Sequence, residues 1–323
     1  MQEIYSNLDK NRIISVHERI LKYVHNSPLL TSRTLNKLTN SNLYFKCENF
    51  QKAGAFKFRG ATNAVLSLSK DEISRGIATH SSGNHAGALS LAGKLRGAKA
   101  FIVMPKNAPK IKIEAVKEYG AEIIFCEPNL KSREETLRKV VSKTGAVFIH
   151  PYNDFRIICG QATCAKEVFE KIEELDYIVA PVGGGGLLSG TCLSAKYFSS
   201  NTLIIGAEPS GADDAFRSIR DGKIYPSVNP KTIADGLLTS LGELTFNILY
   251  DHVSEIITVD DMIIIEAMRM IWERMKIIIE PSAAVPFAVV LNNLNKFYGK
   301  KVCIILSGGN VDFENLPWSQ NKI

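Results

Sequence analysis

A chain of 323 residues, 45% hydrophobic and 22% charged, has the make-up of an ordinary soluble globular protein and length enough for two α/β domains or one large one. That balance argues against disorder and fibrous structure. The net charge of +6 is mild, and the densest basic stretch, residues 106–117, carries Ile and Val at helical spacing without interleaved aromatics, so it reads as a solvated face and not as a nucleic-acid site.

In chain order, Met1 to Arg12 is polar and mixed in charge, without a signal-peptide pattern. No apolar run approaches the roughly 20 residues that span a bilayer, so a cytoplasmic protein without a membrane partner is expected. Residues 43–47 read as a strand. Residues 54–60 (GAFKFRG) set Lys57 between Phe56 and Phe58. An apolar setting disfavours the ammonium form, and a neutral amine can attack an aldehyde to form a Schiff base; a lysine laying its stem along apolar surface gives the same pattern. Residues 79–86 (THSSGNHA) form a turn entering a small-residue helix, with hydroxyls, amides and open N–H groups for a carboxylate. His85 suits an orienting or structural role better than that of a general base.

From about 75 to 150 the periodicity alternates. Residues 99–104, 121–126 and 146–150 read as strands. Residues 108–119, with Ile111, Ala115 and Val116 on one face, and 132–144, with Ser132 and Glu135 at capping-box spacing, read as helices closed by Gly120 and Gly145. This is a compact parallel-sheet unit. A second series has strands at 177–182, 202–208 and 302–306 and helices at 260–275 and 282–293. Six cysteines at 47, 126, 159, 164, 192 and 303 show no C-x-x-C spacing, which speaks against a zinc ribbon or a redox pair.

Two further motifs follow strands. Gly183, Gly184, Gly185 and Gly186, ahead of Leu187 and a helix start, offer bare N–H groups and a positive dipole end to an anion. The run lacks both G-x-G-x-x-G and the G-K-[ST] of a nucleotide loop. Residues 306–312 (LSGGNVD) place the Ser307 hydroxyl at another strand end. Three glycine-rich strand ends and a lysine in an apolar frame converge on an aldehyde that carries a phosphate, pyridoxal 5′-phosphate.

On these motifs, together with Ser27-Pro28-Leu29 and Lys46-Cys47-Glu48, the chain resembles the serine/threonine dehydratase and serine racemase family of fold-type II pyridoxal-phosphate enzymes over nearly its whole length. Residues 208–214 (EPSGADD), 232–236 (TIADG) and 272–276 (WERMK) look most like its eukaryotic-type serine racemase branch. The resemblance implies an α/β protein of two domains, each an open, mostly parallel sheet flanked by helices. Residues 1–75 with 151–323 would form a large cofactor domain, and 76–150 a small substrate domain.

The resemblance also implies roles. Lys57 would hold the cofactor and act as base on one face of the substrate Cα, with Ser82 as acid/base on the other. Phe56 would pack on the cofactor ring, Asn84 would bond its 3′-oxygen, residues 183–187 would hold the phosphate, and Ser307 would face the pyridine nitrogen. Ser81, Ser82, Gly83, Asn84 and His85 would take the substrate carboxylate. Glu208, Asp214 and the Ala212 carbonyl would bind a divalent cation, with hard oxygen ligands suited to Mg²⁺, Ca²⁺ or Mn²⁺. A neutral hydroxyl at Ser307 does not enforce pyridinium protonation, which weakens the electron sink and favours loss of a β-hydroxyl or prompt reprotonation. Racemisation additionally needs acid/base groups on both faces.

The implied activity is racemisation of serine with elimination of water to pyruvate and ammonia. The alternatives are a threonine or threo-3-hydroxyaspartate ammonia-lyase and a non-catalytic pyridoxal-phosphate binder. There are departures from the family pattern. Ala55 replaces the usual Ser. Ala86-Gly87 stands where animal members have Gly-Gln, and that Gln helps bind ATP, so ATP activation is not expected to follow from the resemblance. Residues 150–154 (HPYND) look more like threonine dehydratases. A homodimer is implied, and a chain of this length is expected to lack the C-terminal regulatory domain of biosynthetic threonine dehydratase.

Overall fold

The computed structural model describes residues 8–108 and 110–318. Part of the polar N-terminus and the Ile111 side chain therefore lie outside the described residues. Two sheets organise the chain. The first has six strands: β1 (Leu29–Leu30), β2 (Asn42–Cys47), β7 (Tyr177–Pro181), β8 (Leu203–Pro209), β9 (Glu255–Val259) and β10 (Lys301–Leu306), in the order β1-β2-β10-β7-β8-β9. Only β1 is antiparallel to its neighbour. The second has four parallel strands, β3 (Ile77–His80), β4 (Ala100–Pro105), β5 (Glu122–Cys126) and β6 (Val147–Phe148), in the order β5-β4-β3-β6. Parallel strands need crossover helices and covered faces. The near-continuous apolar runs supply the strands accordingly: every residue of β4 is buried.

Boundaries shift slightly from the sequence expectation. The helix expected at 132–144 begins at Leu130, because the Asn129 side chain accepts from Ser132 N at 2.8 Å and is the cap; the Ser132 hydroxyl instead accepts from Glu127 N. The strand expected at 146–150 pairs only over Val147–Phe148. All six cysteines are buried and free.

Three helices set the spacing of the site. α1 (Lys10–Ile20) and α2 (Arg33–Thr39) precede α3 (Lys57–Leu66), which opens on the lysine. After α4 (Lys70–Arg75), α5 (Asn84–Arg96), α6 (Lys110–Glu118) and α7 (Leu130–Thr144) come α8 (Phe155–Phe169) and α9 (Gly186–Phe198), which opens on the glycine run. α8 packs between α3 and α9. A Cβ on Gly160 would lie 2.8 Å from Arg59 O, and one on Gly190 would lie 2.6 Å from Ala162 N. Such distances force a shift of backbone, so these two glycines let the helix axes approach and fix the lysine relative to the glycine run.

Behind the lysine lies a buried charge cluster that sequence reading registered only as a family motif. Arg59 Nε and Nη2 donate to Glu48 at 2.7 and 2.8 Å, and Nη1 and Nη2 donate to Glu167 at 2.7 and 2.8 Å. Lys46 Nζ donates to Glu167 Oε2 at 2.5 Å and to Ser27 O at 2.9 Å. Two cations face two carboxylates, all buried. Despite their burial, Arg59 and Lys46 hold Glu48, and His17, Arg59 and Lys46 hold Glu167, below the usual carboxylate range. The remaining helices, α10 (Asp214–Asp221), α11 (Glu243–His252), α12 (Asp261–Met275), α13 (Pro281–Asn292) and α14 (Leu294–Phe297), cover the larger sheet. Among the described residues no helix is long and apolar enough to cross a membrane.

Candidate active site

Parallel strands point their carboxyl ends the same way, and that edge is where α/β sheets bind ligands. β3 runs into Ser81, β7 into the glycine run, and β10 into Ser307. Hydrogen bonds tie the last of these ends to the lysine segment. Phe56 N donates to Ser307 O at 3.0 Å, and Gly309 N donates to Gly54 O at 2.9 Å, so the lysine segment and the Ser307 loop lie side by side. Lys57 Nζ donates to Pro151 O at 3.0 Å and lies 5.1 Å from the centre of the Phe56 ring. Burial pushes the Lys57 amine down to about 8, against the pull of Glu280. The two flanking phenylalanines divide the work differently from the sequence expectation: Phe56 lies against the amine, whereas Phe58 is fully buried in the core beside α5.

The loop after β6 completes that wall. His150 Nδ1 accepts from Asn153 N at 2.9 Å, and its ring meets Tyr152 edge-on at 4.6 Å. Burial pushes His150 down to about 4, so it stays a neutral acceptor. Tyr152 in turn lies against the glycine run: a Cβ on Gly184 would strike its ring. A Cβ on Gly183 would lie 2.9 Å from Leu237 Cα, and Gly185 adopts φ +85°, where a side chain is strained. Thr245 Oγ1 donates to Gly184 O at 2.9 Å. The run is thus a backbone-only cradle at the start of α9, where the first N–H groups have no partner within the helix. Leu187 is buried just inside it.

The Ser81-Ser82-Gly83-Asn84 turn is partly open, and Gly83 caps α5. His85 is 2% exposed and held well below its usual range by burial and by the Lys57 charge. Asn84 Nδ2 donates to Glu280 Oε1 at 2.7 Å. Sequence reading did not single out Glu280, and it registered His150, Pro151 and Tyr152 only as part of a family motif. The local signal available was Glu280 before Pro281, a helix start with proline at its first position.

Glu208 is the penultimate residue of β8, and Asp214 opens α10. Both are 1% exposed, and Ala212 lies between them in a short 3₁₀ turn. Glu208 accepts from Ala215 N at 2.8 Å and Phe216 N at 2.7 Å. Burial pushes Glu208 up to about 8 and raises Asp214, and the buried Asp214 Oδ2 has no hydrogen-bond partner. Two close, desolvated carboxyls with an orphaned oxygen are a donor set that a hard cation would satisfy. Among the described residues no group of three or more His, Cys, Asp or Glu side chains could hold a metal, so a main-chain carbonyl would have to join these two acids.

The paired sheets, with a lysine and an anion cradle at their strand ends, are the architecture of fold-type II pyridoxal-phosphate enzymes. Residues 20–308 match the family described as pyridoxal-phosphate dependent enzyme, and the chain belongs to it. It is 52% identical to the β-hydroxyaspartate dehydratase of Paracoccus denitrificans, over 95% of this chain and 98% of that protein. It is 50% identical to the serine racemase of Arabidopsis thaliana, over 96% and 95%. The crystal structure of serine racemase from Dictyostelium discoideum superposes with a TM-score of 0.90 at 48% identity, covering 94% of this chain and 98% of that one.

Proposed function

We propose that this enzyme racemises serine and eliminates water from it, using pyridoxal phosphate held on Lys57. The observation that carries the reading is the Lys57 amine, half-buried, lowered to about 8 and bonded to Pro151 O beside the glycine cradle. When bound, pyridoxal phosphate supplies an aldehyde for an amino group and an electron sink for charge at Cα. Everything else is done by the chain. The N–H groups of residues 183–187 would hold the phosphate at the positive end of α9, Phe56 would pack on the ring, and the Ser307 hydroxyl would serve its nitrogen. Main-chain groups from Ser81 to His85 hold the substrate carboxylate. Lys57 Nζ takes the Cα proton from one face, and Ser82 Oγ serves the other. Proton return from the opposite face inverts the centre; departure of the β-hydroxyl with a proton, followed by hydrolysis, gives pyruvate and ammonia.

A second reading, threo-3-hydroxyaspartate ammonia-lyase, has its own support. Such a substrate adds a second carboxylate and calls for a cation. Arg133, on α7, keeps a buried Nε without a hydrogen-bond partner, and it acts with the neighbouring Glu134 on His80, the residue before the Ser81 turn. Incubation of the purified enzyme with each substrate in D₂O separates the two. D-serine deuterated at Cα, with pyruvate alongside, is expected. No labelled D-serine, with fast oxaloacetate release from hydroxyaspartate, overturns the racemase reading in favour of the second.

The same proposal places a divalent cation on Glu208, Asp214 and the Ala212 carbonyl, and two copies of the chain in a homodimer. Mg²⁺ added after EDTA treatment is expected to raise Tm in the wild type and not in Asp214→Ala; equal shifts in both would remove these residues as ligands. Sedimentation velocity checks the dimer.

A further inference from the structure

Glu280 is 2% exposed at the start of α13 and has no role in the reading above. It joins a chain of amides. Asn310 Nδ2 donates to Ala53 O at 2.8 Å and to Asn84 Oδ1 at 3.0 Å; Asn84 Nδ2 then donates to Glu280 Oε1 at 2.7 Å. The Asn84 amide is thus flanked by a donor on its oxygen side and an acceptor on its nitrogen side. Turning it over would set oxygen against oxygen and nitrogen against nitrogen, so one orientation satisfies both neighbours. An amide nitrogen carries two hydrogens, and Glu280 takes one of them.

We propose that Glu280 is a positioning residue that locks the Asn84 amide so that its second Nδ2–H is presented to an acceptor oxygen on the ring of the cofactor held by Lys57. The inference rests on the pyridoxal-phosphate reading and adds to it the group that aims Asn84. Without Glu280 only the Asn310 bond would hold the amide, which could then turn more readily and present its oxygen, which repels a phenolate-type acceptor. The surroundings favour this use. Burial, reinforced by Asp235, pushes Glu280 up to about 8 against the opposing pull of Lys112, Asn84 and Lys57. A mostly neutral acid at pH 7 accepts the Asn84 hydrogen without pulling Lys57 firmly into its ammonium form. Helix α13 and the Gly308 turn hold the carboxyl in place: Glu280 N donates to Gly308 O at 3.1 Å, and a Cβ on Gly308 would strike Glu280 Oε1.

The test compares Glu280→Gln, which keeps an acceptor and is neutral, with Glu280→Leu, which removes the acceptor at similar volume. The readouts are the pyridoxal-phosphate dissociation constant of apoprotein by equilibrium dialysis and the visible absorption band of the loaded protein. Glu280→Leu is expected to weaken binding about tenfold, the worth of one well-made hydrogen bond in a dry site, and to move the band. Glu280→Gln should stay within about threefold of wild type and keep the band. The Asn84→Ala/Glu280→Leu double variant should bind no worse than Asn84→Ala, because both changes break one link. Should Glu280→Leu fail to fold, the exposed Asn310→Ala removes the same lock from the other side and should move the band in the same direction. Wild-type binding and an unmoved band in Glu280→Leu, or in Asn310→Ala where Glu280→Leu does not fold, would overturn the proposal, as would losses that multiply in the double variant. Failure of the wild type itself to bind pyridoxal phosphate would instead remove the reading on which the proposal rests.

Discussion

At the residue scale, the unusual quantity is the acidity of Lys57. A lysine lowered from 10.5 to about 8 is neutral in about one molecule in ten at pH 7, roughly 300 times the fraction of an ordinary lysine. The rate of pyridoxal-phosphate uptake by apoprotein should therefore rise with pH and level off above about 8; a midpoint near 10 would contradict the environment described. The buried charge cluster gives a second expectation. Glu48 and Glu167 have folded pKa values below the unfolded value of 4.5, so their stabilisation is complete above that pH and is lost as pH falls through the lowered values. Their contribution, read as the stability difference between wild type and Glu167→Gln, should be constant from pH 5 to 7 and shrink in acid. Glu167→Gln, which leaves Arg59 and Lys46 facing one carboxylate, should cost about 3–5 kcal/mol in urea denaturation. Lys57 and the four glycines were legible in the sequence because each motif is local. Their partners were not: Pro151 lies 94 positions from Lys57, and Glu280 lies 196 from Asn84. Those meetings depend on tertiary packing, which periodicity does not encode.

At the element scale, the lysine and the cradle are held by the two helices that start on them, α3 and α9, and α8 sets their separation. Gly160→Val would push a side chain into Arg59 O and Gly60. It should lower Tm and weaken cofactor binding together, since it moves α3 against α8; unchanged affinity in a folded variant would show that this spacing does not set the site. The smaller sheet is joined to the larger one by an ion pair between Lys112 on α6 and Asp235. Lys112 is 17% exposed along its side chain and Asp235 48%, so salt is expected to weaken the pair. Lys112→Ala should raise KM for serine more than it lowers kcat, read from initial rates. The helix and strand types along the chain were legible from apolar spacing. Their ends were not always so: α7 is capped by Asn129 because its carbonyl oxygen reaches Ser132 N, a choice between two neighbouring polar residues that the pattern leaves open.

At the scale of the whole molecule, the β-α-β rhythm told of one parallel-sheet unit and a second α/β series, and strand ends carry the Ser81–Asn84 turn, the glycine run and Ser307. Strand order was beyond the sequence: β10 enters between β2 and β7, which sets Ser307 beside the lysine segment although 250 residues of chain separate them. The mild net charge that opened the reading has no counterpart in the site, where charges are paired or neutralised by burial. Everything proposed for this protein depends on one covalent link. Reduction of the pyridoxal-phosphate-loaded protein with borohydride, followed by peptide mass mapping, tests it directly. The account predicts a single phosphopyridoxyl group on the peptide containing Lys57; label on another lysine, or none, would contradict it.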